Sequence, residues 1–175
     1  MDIMKHFSIP FKGLKNGDHR FQFEIGDDFF KHYENDVITN GQFNVWLDFE
    51  KKDNMSIMQF SIEGISAMNC DRCMEIIQLP IQGKYDLLLK FGDEEDSNEE
   101  VMYVDPDISI LPLGQLMYEF ILLSIPITKV YNCQEDNPRP CNDEILDKLE
   151  YDDNGLPPTS NSIWDNLKGI DFDNN

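Results

Sequence analysis

Between residues 42 and 91, apolar side chains recur at every second position in three long runs. Phe43, Val45, Leu47 and Phe49 alternate with polar or amphipathic neighbours, and Met58, Phe60 and Ile62 repeat the pattern beyond Lys51-Lys52-Asp53-Asn54. Ile77, Leu79, Ile81, Tyr85, Leu87, Leu89 and Phe91 then share one face, with Gln78, Gln82, Lys84, Asp86 and Lys90 on the other. A period of two gives a strand one apolar and one polar face, so these runs read as half-buried strands, the first two joined as an antiparallel hairpin. Phe21, Phe23 and Ile25 show the same period after a turn at Asn16-Gly17. Pro80 lacks a ladder N–H and assigns part of the third run to a sheet edge.

Helical signals flank this block. Asp27-Asp28-Phe29-Phe30-Lys31-His32-Tyr33 opens with carboxylates that suit a helix start and reads as a short helix. Leu113, Leu116, Met117, Phe120 and Ile121 form one helical stripe, with Pro112 near its start and Pro126 beyond its end. Leu122 and Leu123 extend the apolar surface, which predicts deep burial and makes Glu119 a buried carboxylate paired structurally, with Arg72 as the expected partner.

The fold class is therefore α+β. A curled antiparallel sheet from segments near 20–26, 42–50, 55–68 and 75–91 is covered by one main helix near 112–124, with short flanking helices. The 175 residues read as a single domain, with a sheet-plus-helix core over 1–132. The acidic stretch 133–175 reads as a loosely ordered tail, in which Ile163, Trp164 and Leu167 suit a short docking helix.

Four cysteines come as two pairs, Cys70 with Cys73 and Cys133 with Cys141. A Cys-x-x-Cys turn sets two sulfurs on one side of a loop, where tetrahedral zinc takes both as thiolates, and a second pair completes the shell. Four protein ligands leave no position for water, so such a zinc is structural. The start of the sequence lacks a secretory apolar region and no run is long enough to span a membrane, which predicts a cytoplasmic, reducing setting. Three readings stay open there: a four-cysteine zinc knot, a thiol–disulfide pair, or unrelated buried thiols. The first pair falls between two strands rather than ahead of a helix, which argues against redox catalysis.

Acidic residues outnumber basic ones 34 to 14, a formal net charge of −20. Bulk charge thus excludes ordinary nucleic-acid binding and favours a basic protein partner. Asp93, Glu94, Glu95, Asp96, Glu99 and Glu100 form a run without a cation, either a solvated loop or a grip for that partner. Lys5, Lys12, Lys15 and Arg20 make the one positive stretch, readable as a solvated arm or as an RNA contact. No nucleophile triad, phosphate loop or zinc-protease motif is present, and His6, His19 and His32 are scattered near the start. The expectation is a protein that is not an enzyme and takes no small-molecule substrate.

The order of these motifs resembles the YceD family, the large ribosomal RNA subunit accumulation proteins. The resemblance is carried by Cys70-Asp71-Arg72-Cys73 after an alternating strand, then an acidic insertion. It continues through Asp107-Ile108, the helix running from Tyr118 to Pro126, and a late Cys133. Its best anchors are C-x-R-C and E-x-x-x-L-x-x-P, here Glu119, Leu123 and Pro126. Ile163 to Lys168 is similar to that family's short closing helix. The chain departs from versions with a more cysteine-rich knot after the proline, offering only Cys133 and Cys141. The resemblance implies a non-enzymatic role in making or stabilising large ribosomal subunits, with bacterial or organellar descent. A generic zinc-knot interaction module unrelated to ribosomes is the alternative, and a Cys-x-x-Cys thiol–disulfide protein a further one.

Overall fold

Three consecutive hairpin-linked strands form the centre of the molecule. The computed structural model describes residues 3–33, 37–38, 40–92, 100–132, 138 and 140–148. Strands β1 (Ser8–Ile9), β2 (Gly17–Ile25), β3 (Gly41–Lys51), β4 (Met55–Asn69), β5 (Ile76–Phe91), β6 (Val101–Val104) and β7 (Leu111–Pro112) are joined by helices α1 (Asp27–His32) and α2 (Gly114–Leu123). The main sheet has the order β2-β3-β4-β5-β6 and does not close into a barrel, while β1 and β7 pair separately.

The alternation sets the register. Phe43, Val45, Leu47 and Phe49 face inward on β3, opposite Ile25, Phe23, Phe21 and His19 of β2 and Gly64, Ile62, Phe60 and Met58 of β4. Six of these inward side chains, Val45, Leu47, Phe49, Met58, Phe60 and Ile62, are within 1% of complete burial. Full burial of an aliphatic or aromatic side chain contributes roughly 1.5–3 kcal/mol, so this layer dominates the stability of the fold. Pro80 lies on β5 opposite Ile65, where β4 flanks one side and β6, which pairs only from Leu88 to Phe91, does not reach the other. The missing N–H therefore removes no ladder bond on that outer side.

Helix α2 covers the inner face through its expected stripe, with Leu113, Met117, Phe120 and Ile121 buried. The Phe120 ring stacks on Tyr85 at 4.4 Å between centroids and meets Phe60 edge-on at 5.2 Å. Ser124 Oγ donates to the Phe120 carbonyl at 2.7 Å, which leaves the Tyr85 hydroxyl as donor in the 3.0 Å bond between Tyr85 Oη and Ser124 Oγ. Gly83 makes this approach possible, since a Cβ there would overlap the Ser124 side chain.

Helix α1 caps the other end of the same face. Phe29 and Phe30 are buried, against Phe7 at 4.6 Å and Phe43 at 5.6 Å. Asp27 Oδ1 accepts from the Gly41 N–H at 3.0 Å, tying α1 to the start of β3. At the far end of β3, Lys51 Nζ donates to the carbonyls of Phe11 and Leu14 at 2.7 and 2.9 Å and lies over the Phe11 ring. The N-terminal turn is thereby clamped to the sheet.

Three expectations change. Strand β6 was not anticipated, and it joins β5 in parallel rather than antiparallel. Leu123 is 69% exposed, so the apolar end of α2 is not deeply buried. Glu119 is exposed as well, and it accepts from Gln115 Nε2 at 2.7 Å rather than pairing with Arg72. Positions 115 and 119 are one turn apart on the outer side of α2, where a carboxylate keeps its hydration.

Candidate functional site

Two places in this fold concentrate chemistry: the loop between β4 and β5, and the open face of the sheet. In the loop, Cys70 and Cys73 are completely buried. The Cys70 N–H donates to the Glu75 carbonyl at 2.8 Å and the Met74 N–H to the Cys70 carbonyl at 2.9 Å, closing a tight knuckle. Met74 sits at a φ of 63°, a left-handed conformation that a side chain adopts at a cost of roughly 1–2 kcal/mol. The chain after α2 is laced onto this knuckle. Asp71 N–H donates to the Lys129 carbonyl at 2.8 Å, Lys129 N–H returns to Asp71 Oδ2 at 2.7 Å, and the Lys129 ammonium lies 3.4 Å from Asp71 Oδ1. The Lys129 backbone bond holds the Asp71 carboxyl below the usual range against partial desolvation, with the Lys129 side chain adding to it.

Burial pushes the Cys70 thiol up. The backbone N–H groups of Cys73 and Arg72, the Cys73 side chain and the Tyr131 N–H all point at it, and together they bring it below its ordinary value. Donors converging on one sulfur stabilise a thiolate, the form that metals and electrophiles take. Cys141 is also buried, in the same core cluster, and its neighbour Asn142 donates through Nδ2 to Glu75 Oε1 at 3.3 Å. Asn142 Oδ1 accepts from the Ile145 N–H at 3.3 Å, capping the helical segment 143–148. The Asn142–Glu75 bond thus places the chain at 141–142 beside the β4–β5 knuckle.

The metal reading fits part of this corner. Cys70 and Cys73 present two free, buried thiols on one tight loop. Cys141, by contrast, is disulfide-bonded, and Cys133 lies outside the described residues. Among the described residues, no three His, Cys, Asp or Glu side chains are grouped to hold a metal ion.

The open face is built from the outward positions of the same alternation. One cross-strand row runs Arg20, Asp48, Gln59, Asp86; the next Gln22, Trp46, Ser61, Lys84; the third Glu24, Asn44, Glu63, Gln82. Trp46 is half-buried, between exposed Gln22 on β2 and half-buried Ser61 on β4. Arg20 grips Asp48 with two bonds, Nε to Oδ1 at 2.6 Å and Nη2 to Oδ2 at 2.8 Å. The Arg20 hydrogen bond holds the Asp48 carboxyl below the usual range, slight desolvation opposing it. Among the described residues, Glu24, Glu63 and Asp86 have no cationic partner, so the face is acidic on balance.

The other expected site residues are dispersed. Lys12 is exposed and lies 3.8 Å from Asp107, Lys15 is exposed, and Arg20 is engaged by Asp48. Of the acidic run, Glu100 is exposed beside β6, while Asp93, Glu94, Glu95, Asp96 and Glu99 lie outside the described residues. Arg72 is half-buried in the knuckle, and Pro126 is exposed beyond α2. The sequence reading missed the acidic sheet face, although its signal was available in the outward half of each alternating run. No helix among the described residues is long and apolar enough to cross a membrane.

The described residues thus form an open, mainly antiparallel sheet under one helix, with a cysteine knuckle at its corner and an acidic outer face. The sequence matches the family described as "Large ribosomal RNA subunit accumulation protein YceD" over residues 58–170, and the chain belongs to that family. No curated protein and no solved structure matches it.

Proposed function

We propose that this chain is a non-enzymatic factor in the accumulation of large-subunit ribosomal RNA, acting in a bacterial cytoplasm by binding a basic ribosomal protein or an assembly intermediate. The family match carries the first part of this reading. The acidic sheet face supports the second: unpaired carboxylates around a half-buried tryptophan suit Lys- and Arg-rich segments, whose cations are drawn to carboxylates and to aromatic faces alike. The same charge opposes direct contact with an rRNA backbone, and the engagement of Arg20 by Asp48 reduces the basic footprint that such contact would use. The run from Asp93 to Glu100 adds to the attraction of a basic partner.

The test is a sucrose-gradient profile of cells lacking the protein, with large- and small-subunit rRNA probed in each fraction and a tagged copy followed in complemented cells. Selective loss of large-subunit rRNA, with the tagged protein on precursor particles, is the expected result. Unchanged profiles with the protein at the top of the gradient would return it to the class of generic interaction modules.

The cysteine corner carries a structural part of the proposal. In a reducing compartment, Cys70, Cys73, Cys133 and Cys141 would hold one Zn2+ as thiolates, pinning the chain after α2 to the β4–β5 knuckle. Metal analysis of reduced, untagged protein should find one zinc per chain, and a chelator should lower its melting temperature. Metal-free protein with an unchanged melt would remove zinc from the proposal.

A further inference from the structure

At the cysteine-corner end of the molecule, a groove of about 740 Å³ opens between the end of β4, the start of β5, the C-terminal end of α2 and the 37–40 segment. Its apolar lining includes Val37, Met68, Ile76, Leu122, Ile125 and Ile127. Three of these are strongly exposed, Val37 at 58%, Ile76 at 67% and Ile127 at 101%. Exposed aliphatic side chains gathered in one concavity are a docking feature rather than ordinary surface scatter.

We propose that this groove seats the chain's own C-terminal segment, with Ile163, Trp164 and Leu167 as its apolar occupants. Leu146 is buried at 6%, and Asn142 bonds to Glu75, the residue before the groove wall at Ile76. The helical segment 143–148 thus starts one residue along the chain from an anchor to the groove wall. An extended chain advances roughly 3.3 Å per residue, so the residues between 148 and 163 reach across the groove with slack to turn.

Ile163 and Leu167 are four apart, so a helical turn places them on one side with Trp164 next to them. A tryptophan and two aliphatic residues are an anchor set matched to a concave apolar site. The family match runs to residue 170 and so includes this segment in the shared pattern. The inference is independent of the ribosomal reading, because its occupant is the chain itself.

The test uses full-length protein carrying Trp46→Phe, which leaves Trp164 as the sole tryptophan. Trp164 should emit at the blue-shifted wavelength of a buried indole and resist acrylamide quenching. Ile76→Asp with Ile127→Asp, both at exposed positions, should abolish the blue shift while the far-ultraviolet circular dichroism and the melt persist. Ile110→Asp, at an exposed position outside the groove, should change nothing. Water-like Trp164 emission in the parent would overturn the proposal, as would a blue shift that survives the groove substitutions. A blue shift that disappears on dilution, with a dimer by light scattering, would give the groove to a second copy and overturn it equally.

Discussion

Ser56 is the residue whose surroundings least suit it. Its side chain faces the core at 1% exposure, and its hydroxyl has no hydrogen-bond partner among the described residues. Burying an unsatisfied hydroxyl costs about 1–3 kcal/mol, so Ser56→Ala should stabilise the protein by about 1 kcal/mol in urea denaturation; a loss of stability would reveal a partner for the hydroxyl. Tyr33 predicts an alkaline effect. Its ring stacks on Tyr118 at 4.0 Å, and burial, with smaller contributions from Glu119 and Tyr118, pushes its phenol up to about 12. The unfolded chain ionises near 10, so the stability Tyr33 contributes is complete below about pH 10 and is lost as pH rises toward 12. Melts across that range should fall less steeply in Tyr33→Phe. The parity of single residues was readable in the sequence, but their partners were not. Glu119 was assigned to the interior because its neighbours are apolar, whereas the stripe running through Leu113, Met117 and Phe120 already placed it, with Gln115, on the outer side.

Among the elements, the contact of α2 with β5 depends on the absence of a side chain at Gly83. Gly83→Ala would drive a methyl group into Ser124 and the Tyr85 ring, and should cost about 1–3 kcal/mol as overpacking does. Adding Ser124→Ala should return part of that loss, a coupling that a double-mutant cycle measures directly. Strands β2 to β5 and helix α2 were legible because each carries a sustained period, and α1 because carboxylates open it. Strand β6 was not, since Val101-Met102-Tyr103-Val104 is short and unalternating, and its parallel pairing depends on how the chain returns past an acidic run. The cysteine knuckle was legible as a loop between strands. What brings the chain at 141–142 beside it, the backbone bonds of Lys129 to Asp71 and the side-chain bond of Asn142 to Glu75, leaves no mark on the spacing of the cysteines.

For the whole molecule, the net charge of −20 and the acidic sheet face set the expected binding behaviour. Association with a basic partner should weaken as salt is raised. Glu63→Lys with Asp86→Lys should slow association at low salt by about 10-fold or more, read by stopped-flow mixing, whereas Lys5→Glu with Lys15→Glu should leave it unimpaired. Slower association in the Lys5 and Lys15 variants would instead place the N-terminal cations in the contact. Composition alone gave the sign of this field; its location required the register, because carboxylates from β2, β4 and β5 meet only once the strands are aligned. The pairing of β1 with β7, Ser8 opposite Pro112 and Ile9 opposite Leu111, bears on how the chain acquires its shape. The β3-β4-β5 meander is made of sequence neighbours and can form early, while this small ladder must close a loop of about a hundred residues. During synthesis the N-terminal strand therefore waits without its partner until residue 112 has emerged, making it the last part of the sheeted core to gain protection from hydrogen exchange.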